Sequence, residues 1–309
     1  MLKSRGINKK KLIVILGPTA CGKTRLAVSL ARKFNGEIVS ADSRQVYRGM
    51  DIGTGKDLPE YGQGKGKIPY HLIDIANPKN KFSLAGYQKM AYRVIDDILA
   101  RNKVPLLTGG TGLYIQSIVD GYQLPGARPD NKIRQELSAM DEKTRIAYLS
   151  KLDPEKAKEI DMQNSRRVIR AIEIALDNPA GSLRPRAIEK TKEPKYHPLL
   201  LGVTYPIEVI REKIRHRLQE ELKNGLLDEV RRLHENGLSW KRLDELGLEY
   251  RYASLFLQGK VSQVEMVEKL AIAIGQFAKR QMTWFKRDHR ICWIKDSREA
   301  ENLIRKFIA

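Results

Sequence analysis

Eight residues near the start of the chain restrict its fold more than any other stretch. Gly17-Pro18-Thr19-Ala20-Cys21-Gly22-Lys23-Thr24 satisfies G-x-x-x-x-G-K-[ST]; it follows the apolar run Lys11 to Leu16 and opens a helical pattern through Leu26, Val28 and Leu30 that stops at Asn35-Gly36. Strand, glycine-rich turn and helix in that order make a cradle for phosphate. Glycines let backbone N–H groups turn inward, the helix start adds positive dipole, Lys23 neutralises a terminal phosphate, and the Thr24 hydroxyl is a candidate ligand for Mg²⁺. All eight residues are therefore candidates for binding a diphosphate or triphosphate, with Cys21 read as a small side chain at a free position. The motif leaves open whether the group is cleaved, transferred or expelled.

The rest of the pattern places this loop in an α/β protein. Glu37 to Ala41 and Val104 to Leu107 read as further strands around an amphipathic helix from Ser83 to Arg101, and alternating β and α implies a parallel sheet with helices on its faces. After Gly121 the composition changes to turn material around helical segments near 131 to 150, 154 to 160 and 164 to 177. Strand-like Pro198 to Tyr205 then resumes, followed by charged helices from Ile207 to His234 and Gln263 to Lys286, a strand at Arg290 to Lys295 and a last helix. The expectation is a P-loop NTPase-like parallel sheet flanked by helices, spanning 1–121 and 197–309, with an all-helical module inserted at 122–196.

Composition narrows the function classes. At 309 residues, 41% hydrophobic and 30% charged, the chain can bury a sizeable core. It holds no apolar run long enough to span a membrane, and its basic N-terminus is followed by an apolar run too short for a signal peptide, so a cytoplasmic protein is expected. Two cysteines, Cys21 and Cys292, lack partners at disulfide or metal spacing. Fifty-seven Lys and Arg against 37 Asp and Glu give +20, which favours a polyanion, nucleic acid first, as partner. No heptad seam is evident, so a monomer is the expectation.

Two more constellations fall at strand ends. Asp42 closes Ile38-Val39-Ser40-Ala41 and is followed by Ser43, Arg44, Gln45 and Tyr47. Its carboxylate could hold Mg²⁺, act as general base for a nucleophile, or cap a helix. Thr108-Gly109-Gly110-Thr111-Gly112-Leu113-Tyr114 follows the third strand and offers backbone donors and a hydroxyl to the same cleft, with Thr111 the residue singled out.

Taken in order with Met50-Asp51-Ile52-Gly53-Thr54-Gly55-Lys56, His71-Leu72-Ile73-Asp74, Arg166 to Glu173, Gly225 to Val230 and Ala278 to Phe285, these blocks resemble the tRNA dimethylallyltransferases over residues 11 to about 287. The resemblance implies transfer of a dimethylallyl group from its diphosphate to N6 of adenosine 37 in tRNAs that read codons beginning with U. It implies that the loop, Arg170 and Arg217 hold the leaving diphosphate with Mg²⁺ on Thr24, that Asp42 and Thr111 serve the exocyclic amine, and that RNA is contacted by Asp42, Ser43, Arg44 and Gln45, by Gln163, Asn164, Ser165, Arg166 and Arg167, and by Lys279, Arg280 and Gln281. Trp284 and His71 read as structural residues. Two departures stand out: Glu249-Tyr250-Arg251 where the family usually has Gly-Tyr-Arg, and Ile274-Gly275 where it usually has Thr-Arg. The alternatives are an adenylate isopentenyltransferase, a P-loop small-molecule kinase, and a noncatalytic RNA-binding protein.

Overall fold

The computed structural model describes residues 10–126, 130–177, 188, 190, 191 and 193–309. The chain divides into two compact units, one of residues 1–120 and 194–309 and one of 121–193. The first begins with β1 (Lys10–Leu16), α1 (Lys23–Lys33), β2 (Gly36–Ser40), β3 (Tyr70–His71), α2 (Leu84–Ala100), β4 (Val104–Gly109) and α3 (Gly112–Val119). The second holds α4 (Asn131–Ala139), α5 (Glu142–Leu152), α6 (Pro154–Glu159) and α7 (Ser165–Asp177). The first unit then resumes with β5 (Tyr196–Val203), α8 (Ile207–Lys223), α9 (Leu226–Glu235), α10 (Trp240–Leu246), α11 (Leu248–Leu257), α12 (Gln263–Phe285), β6 (Cys292–Ile294) and α13 (Ser297–Ile308).

The six strands form one parallel sheet in the order β3-β2-β4-β1-β5-β6, the α/β arrangement expected from the strand and helix pattern. Strands buried on both faces read as continuous apolar runs, and Leu12 to Leu16 are at most 1% exposed. Helices cover the sheet through apolar residues at helical spacing, as Tyr87, Ala91, Ile95 and Ile98 do on α2. In the second unit Leu137, Leu149, Val168, Ile169 and Ile172 make a separate core.

Two expectations are corrected, and one strand was not foreseen. The helix read across Ile207 to His234 is two, because Gly225 adopts a left-handed φ of 94° and ends the run at Asn224. The segment read as one helix over 131–150 breaks at Met140, where the Asp141 carboxylate accepts from the Thr144 amide and starts a new helix. β3, only two residues long, carries too little periodicity to be read.

Register sets the site. Leu16 lies opposite Gly109 and Ser40 opposite Thr108, so Gly17, Gly110 and Asp42 leave the sheet at one level of its C-terminal edge. The ends of β2 and β4 approach so closely that a Cβ at Gly109 would lie 2.2 Å from the Ala41 carbonyl oxygen. Gly109→Ala is therefore expected to destabilise the protein by about 1–3 kcal/mol, since backbone must shift to relieve the overlap. Chemical denaturation of the two proteins measures the difference.

Candidate active site

The phosphate loop is held from below and behind. Lys23 Nζ donates to the Pro18 carbonyl at 2.5 Å and reaches Cys21 Sγ at 3.7 Å, while Cys21 is buried, consistent with a small filling side chain. Ala20, though not glycine, takes a left-handed φ of 61°, a conformation that surrounding structure must enforce. Thr24 is half-buried in the first turn of α1, and its hydroxyl has no hydrogen-bond partner among the described residues. No group of three or more His, Cys, Asp or Glu suited to a metal occurs among those residues. That donor set fits a cation such as Mg²⁺ held by one hydroxyl and by the ligand's own phosphates, since Mg²⁺ commonly takes few protein ligands.

Across the edge, Asp42 caps its own turn. Its Oδ1 accepts from the Arg44 amide at 2.8 Å and the Gln45 amide at 3.4 Å, and Oδ2 has no partner among the described residues. One oxygen of this carboxylate is thus tied in its own turn and the other is available. Thr111 Oγ1 accepts from the Ser43 amide at 3.0 Å and lies 3.4 Å from Ser43 Oγ, and the Thr111 amide donates to the Ala41 carbonyl at 3.2 Å. The structure therefore brings Asp42, Ser43 and Thr111 together. Beneath them Tyr114 stacks on Tyr87 at 3.8 Å between ring centres, and the Tyr87 hydroxyl donates to the Ser40 carbonyl.

Two of the residues expected at an RNA surface, Gln45 and Gln281, are tied within the protein by hydrogen bonds. Gln45 donates to the Gly55 carbonyl at 2.9 Å and accepts from the Ser40 hydroxyl at 3.1 Å, so its amide is committed within the protein. Gln281 is buried and hydrogen-bonds the Thr19 amide and the Gly110 carbonyl, each at 2.8 Å. Arg44, Lys279 and Arg280 are exposed. In the second unit Gln163, Ser165, Arg166 and Arg167 are exposed at the start of α7, with Asn164 half-buried and accepting from the Arg167 amide, and Arg170 pairs with Glu173 at 3.3 Å.

The Met50 to Lys56 block has a mechanical role that its sequence did not disclose. Lys56 is 1% exposed and donates to the Tyr47 carbonyl at 2.9 Å, to Asp51 at 2.6 Å and to Asp74. Glu229 of α9 accepts from the amides of Asp51 and Ile52 at 2.8 Å, from Gly53 at 3.2 Å and from the Tyr250 hydroxyl at 2.6 Å. Together they fix the turn whose carbonyls hold Gln45. His71, read as structural, bonds the buried Glu37 at 2.8 Å, joining the edge strand β3 to β2.

Beside the loop, Thr19 and Ala20 share a cleft with Ile214, Arg217, Leu218, Glu221, Glu249 and Ile274. Arg217 pairs with Glu221 at 2.6 Å, an i,i+4 pair legible from the spacing on α8, and its guanidinium occupies the space that a side chain at Gly55 would need. Burial works against the Arg217 charge, but Glu221, Asp57 and Glu249 more than offset it and hold the guanidinium protonated. Burial, reinforced by Glu221, pushes Glu249 up to about 7, with Arg217 pulling the other way.

The residues from Gly17 to Arg217 sit inside a wider match. The chain matches family models described as IPP transferase over residues 45–288 and Isopentenyl transferase over 10–73. It is 48% identical over 296 residues, 94% of this chain and 96% of the relative, to "tRNA dimethylallyltransferase 1" of Syntrophus aciditrophicus. The chain belongs to the tRNA dimethylallyltransferase family. Another member, "tRNA dimethylallyltransferase 2" of Trichlorobacter lovleyi, is 44% identical over 302 residues, covering 96% of each chain. Among solved structures, the full-length tRNA isopentenylpyrophosphate transferase of Bacillus halodurans superposes with a TM-score of 0.70 at 35% identity, covering 97% of both chains. A eukaryotic dimethylallyltransferase acting on tRNA gives a TM-score of 0.70 at 25% identity, over 89% of this chain and 69% of that one.

Within this family frame the Glu249 carboxyl becomes measurable. Above about pH 7 it adds negative charge to a cleft bordering the phosphate loop, and below that it is neutral. Affinity for inorganic pyrophosphate is expected to fall as pH rises through that range by about three- to tenfold, and Glu249→Gln is expected to remove the step. Calorimetric titrations of both proteins at matched pH, the variant subtracting pyrophosphate's own ionisation, read it.

Proposed function

We propose that this chain transfers the dimethylallyl group of dimethylallyl diphosphate to N6 of adenosine 37 in tRNAs that read codons beginning with U, and that it works in the cytoplasm as a monomer. The observation that carries the chemistry is the shared level of the three strand ends: a phosphate cradle at Gly17 to Thr24 after β1, an acid with one oxygen available at Asp42 after β2, and the Thr111 turn after β4 between them. With β4 between β1 and β2, those two ends stand about 10 Å apart at ordinary strand spacing. That gap accommodates a five-carbon diphosphate and an incoming amine.

In this reading the adenine leaves its stack in the anticodon loop and presents its exocyclic amine between Asp42 and Thr111. The nitrogen lone pair attacks the first carbon of the prenyl group, the carbon–oxygen bond breaks, and diphosphate departs with the electron pair. Asp42 Oδ2 takes the proton that the amine sheds, while Thr111 orients the amine. Lys23, Arg217 and the loop amides meet the charge that grows on the leaving oxygens. Bound by Thr24 and the diphosphate, Mg²⁺ would supply further neutralisation of that leaving group.

The +20 charge supports a polyanionic acceptor, and the exposed Arg44, Lys279, Arg280, Arg166 and Arg167 are its proposed contacts along with Ser43, Gln163, Asn164 and Ser165. No helix among the described residues is long and apolar enough to cross a membrane.

Asp42→Ala is expected to lower turnover by about 10²- to 10⁴-fold while the Kd for tRNA stays within a few-fold of the parent. Single-turnover assays and filter binding separate the two, and unchanged turnover would remove Asp42 from its role. Lys23→Ala should raise the KM for dimethylallyl diphosphate and lower kcat, whereas unchanged kinetics would mean that the diphosphate binds elsewhere.

A further inference from the structure

Gln281 lies on the inward face of α12, between Ala278 and Phe285, which are also buried. Its residue is 8% exposed. The Thr19 amide donates to its Oε1 at 2.8 Å, and its Nε2 donates to the Gly110 carbonyl at 2.8 Å. One side-chain amide thus spans two different strand-end loops, the phosphate loop after β1 and the turn after β4 that carries Thr111. A Cβ at Gly110 would stand 2.4 Å from Gln281 Nε2, so the side-chain amide takes the space that any larger residue there would need.

The residue after Thr19 is Ala20, whose φ of 61° is disfavoured for any side chain bearing a Cβ. Something must hold that turn, and the bonded amide immediately before it is the Thr19 N–H. With that N–H taken by Gln281, the amides further along the loop are the ones presented to a phosphate. The other oxygen-to-nitrogen contact fixes how far the loop stands from Thr111.

We propose that Gln281 is a positioning residue: it holds the phosphate loop in its strained turn and sets that loop's distance from the Thr111 turn, without contacting the RNA. The inference rests on the proposed function for the meaning of turnover, but its binding arm does not. Asparagine is too short to span both loops, methionine fills the volume without either bond, and glutamate keeps the acceptor but loses the donor while ionised.

The test uses the full chain with inorganic pyrophosphate and Mg²⁺ as probe, unmodified tRNA as second ligand, and steady-state transfer as third readout. Gln281→Met is expected to weaken pyrophosphate binding about tenfold and to lower kcat about a hundredfold, with the Kd for tRNA within about twofold of the parent. Gln281→Glu is expected to recover turnover relative to the parent as pH falls and its carboxyl regains a proton to donate to Gly110, a response that a change in folding alone would not produce. A Gln281→Met protein that loses tRNA affinity but binds pyrophosphate normally would make Gln281 an RNA contact and overturn the proposal. So would a variant matching the parent in all three readouts. A parent protein that binds pyrophosphate but transfers nothing to tRNA would instead defeat the proposed function, leaving the pyrophosphate comparison to decide the role of Gln281.

Discussion

The candidate site depends on a single buried strand. β1 is hydrogen-bonded in parallel to β4 on one side and β5 on the other, and its apolar residues are shielded on both faces. A strand so placed cannot slip by one residue without turning its core side chains over and breaking two ladders. Its end therefore delivers Gly17 to a fixed point, and the in-register ends of β4 and β2 deliver Gly110 and Asp42 to the same level. Chemistry at this edge follows the general rule that open parallel sheets build their sites outside the carboxyl ends of their strands.

Much of what surrounds that edge is support. Gln45 anchors the Asp42 turn to the Gly55 carbonyl, Lys56 and Glu229 fix the turn that contains Gly55, and Arg217 packs against it from α8. Buried charges of this kind are costly unless fully satisfied, and each of these meets backbone or opposite charge. Gln281 completes the scheme by joining the loops from β1 and β4. Exposed cations are then left to the helix surfaces, where Lys279, Arg280, Arg166 and Arg167 stand in solvent.

The sheet and the phosphate loop were legible because each rests on a local pattern: an apolar run of strand length, a glycine spacing, an amphipathic helix. The places of Asp42 and Thr111 at strand ends were legible because both follow such runs. What could not be read were the long-range hydrogen bonds. Gln45 and Gln281 are polar residues in blocks resembling RNA-contacting ones, and nothing in their neighbours in sequence distinguishes an exposed amide from one that bridges Thr19 to Gly110. Lys56, Asp74 and Glu229 belong to the same class, since their partners lie up to 178 residues away. Glu249 was visible only as a departure from a familiar triplet, and its placement beside Arg217 and the loop came from the packing of α11 against α12 and of α12 against α8. The break at Gly225 was missed because a glycine inside an otherwise continuous helical pattern ends the helix only when tertiary packing accepts the turn.

The acceptor is the most direct measure of the whole scheme. Purified protein with Mg²⁺ and dimethylallyl diphosphate would be offered unmodified tRNA in one reaction and AMP in another, and the products digested and read as nucleosides by mass spectrometry. A dimethylallyl adduct on the tRNA adenosine, with none on AMP, is the expected result. An adduct on AMP alone, or consumption of ATP with no gain of mass on either acceptor, would contradict it.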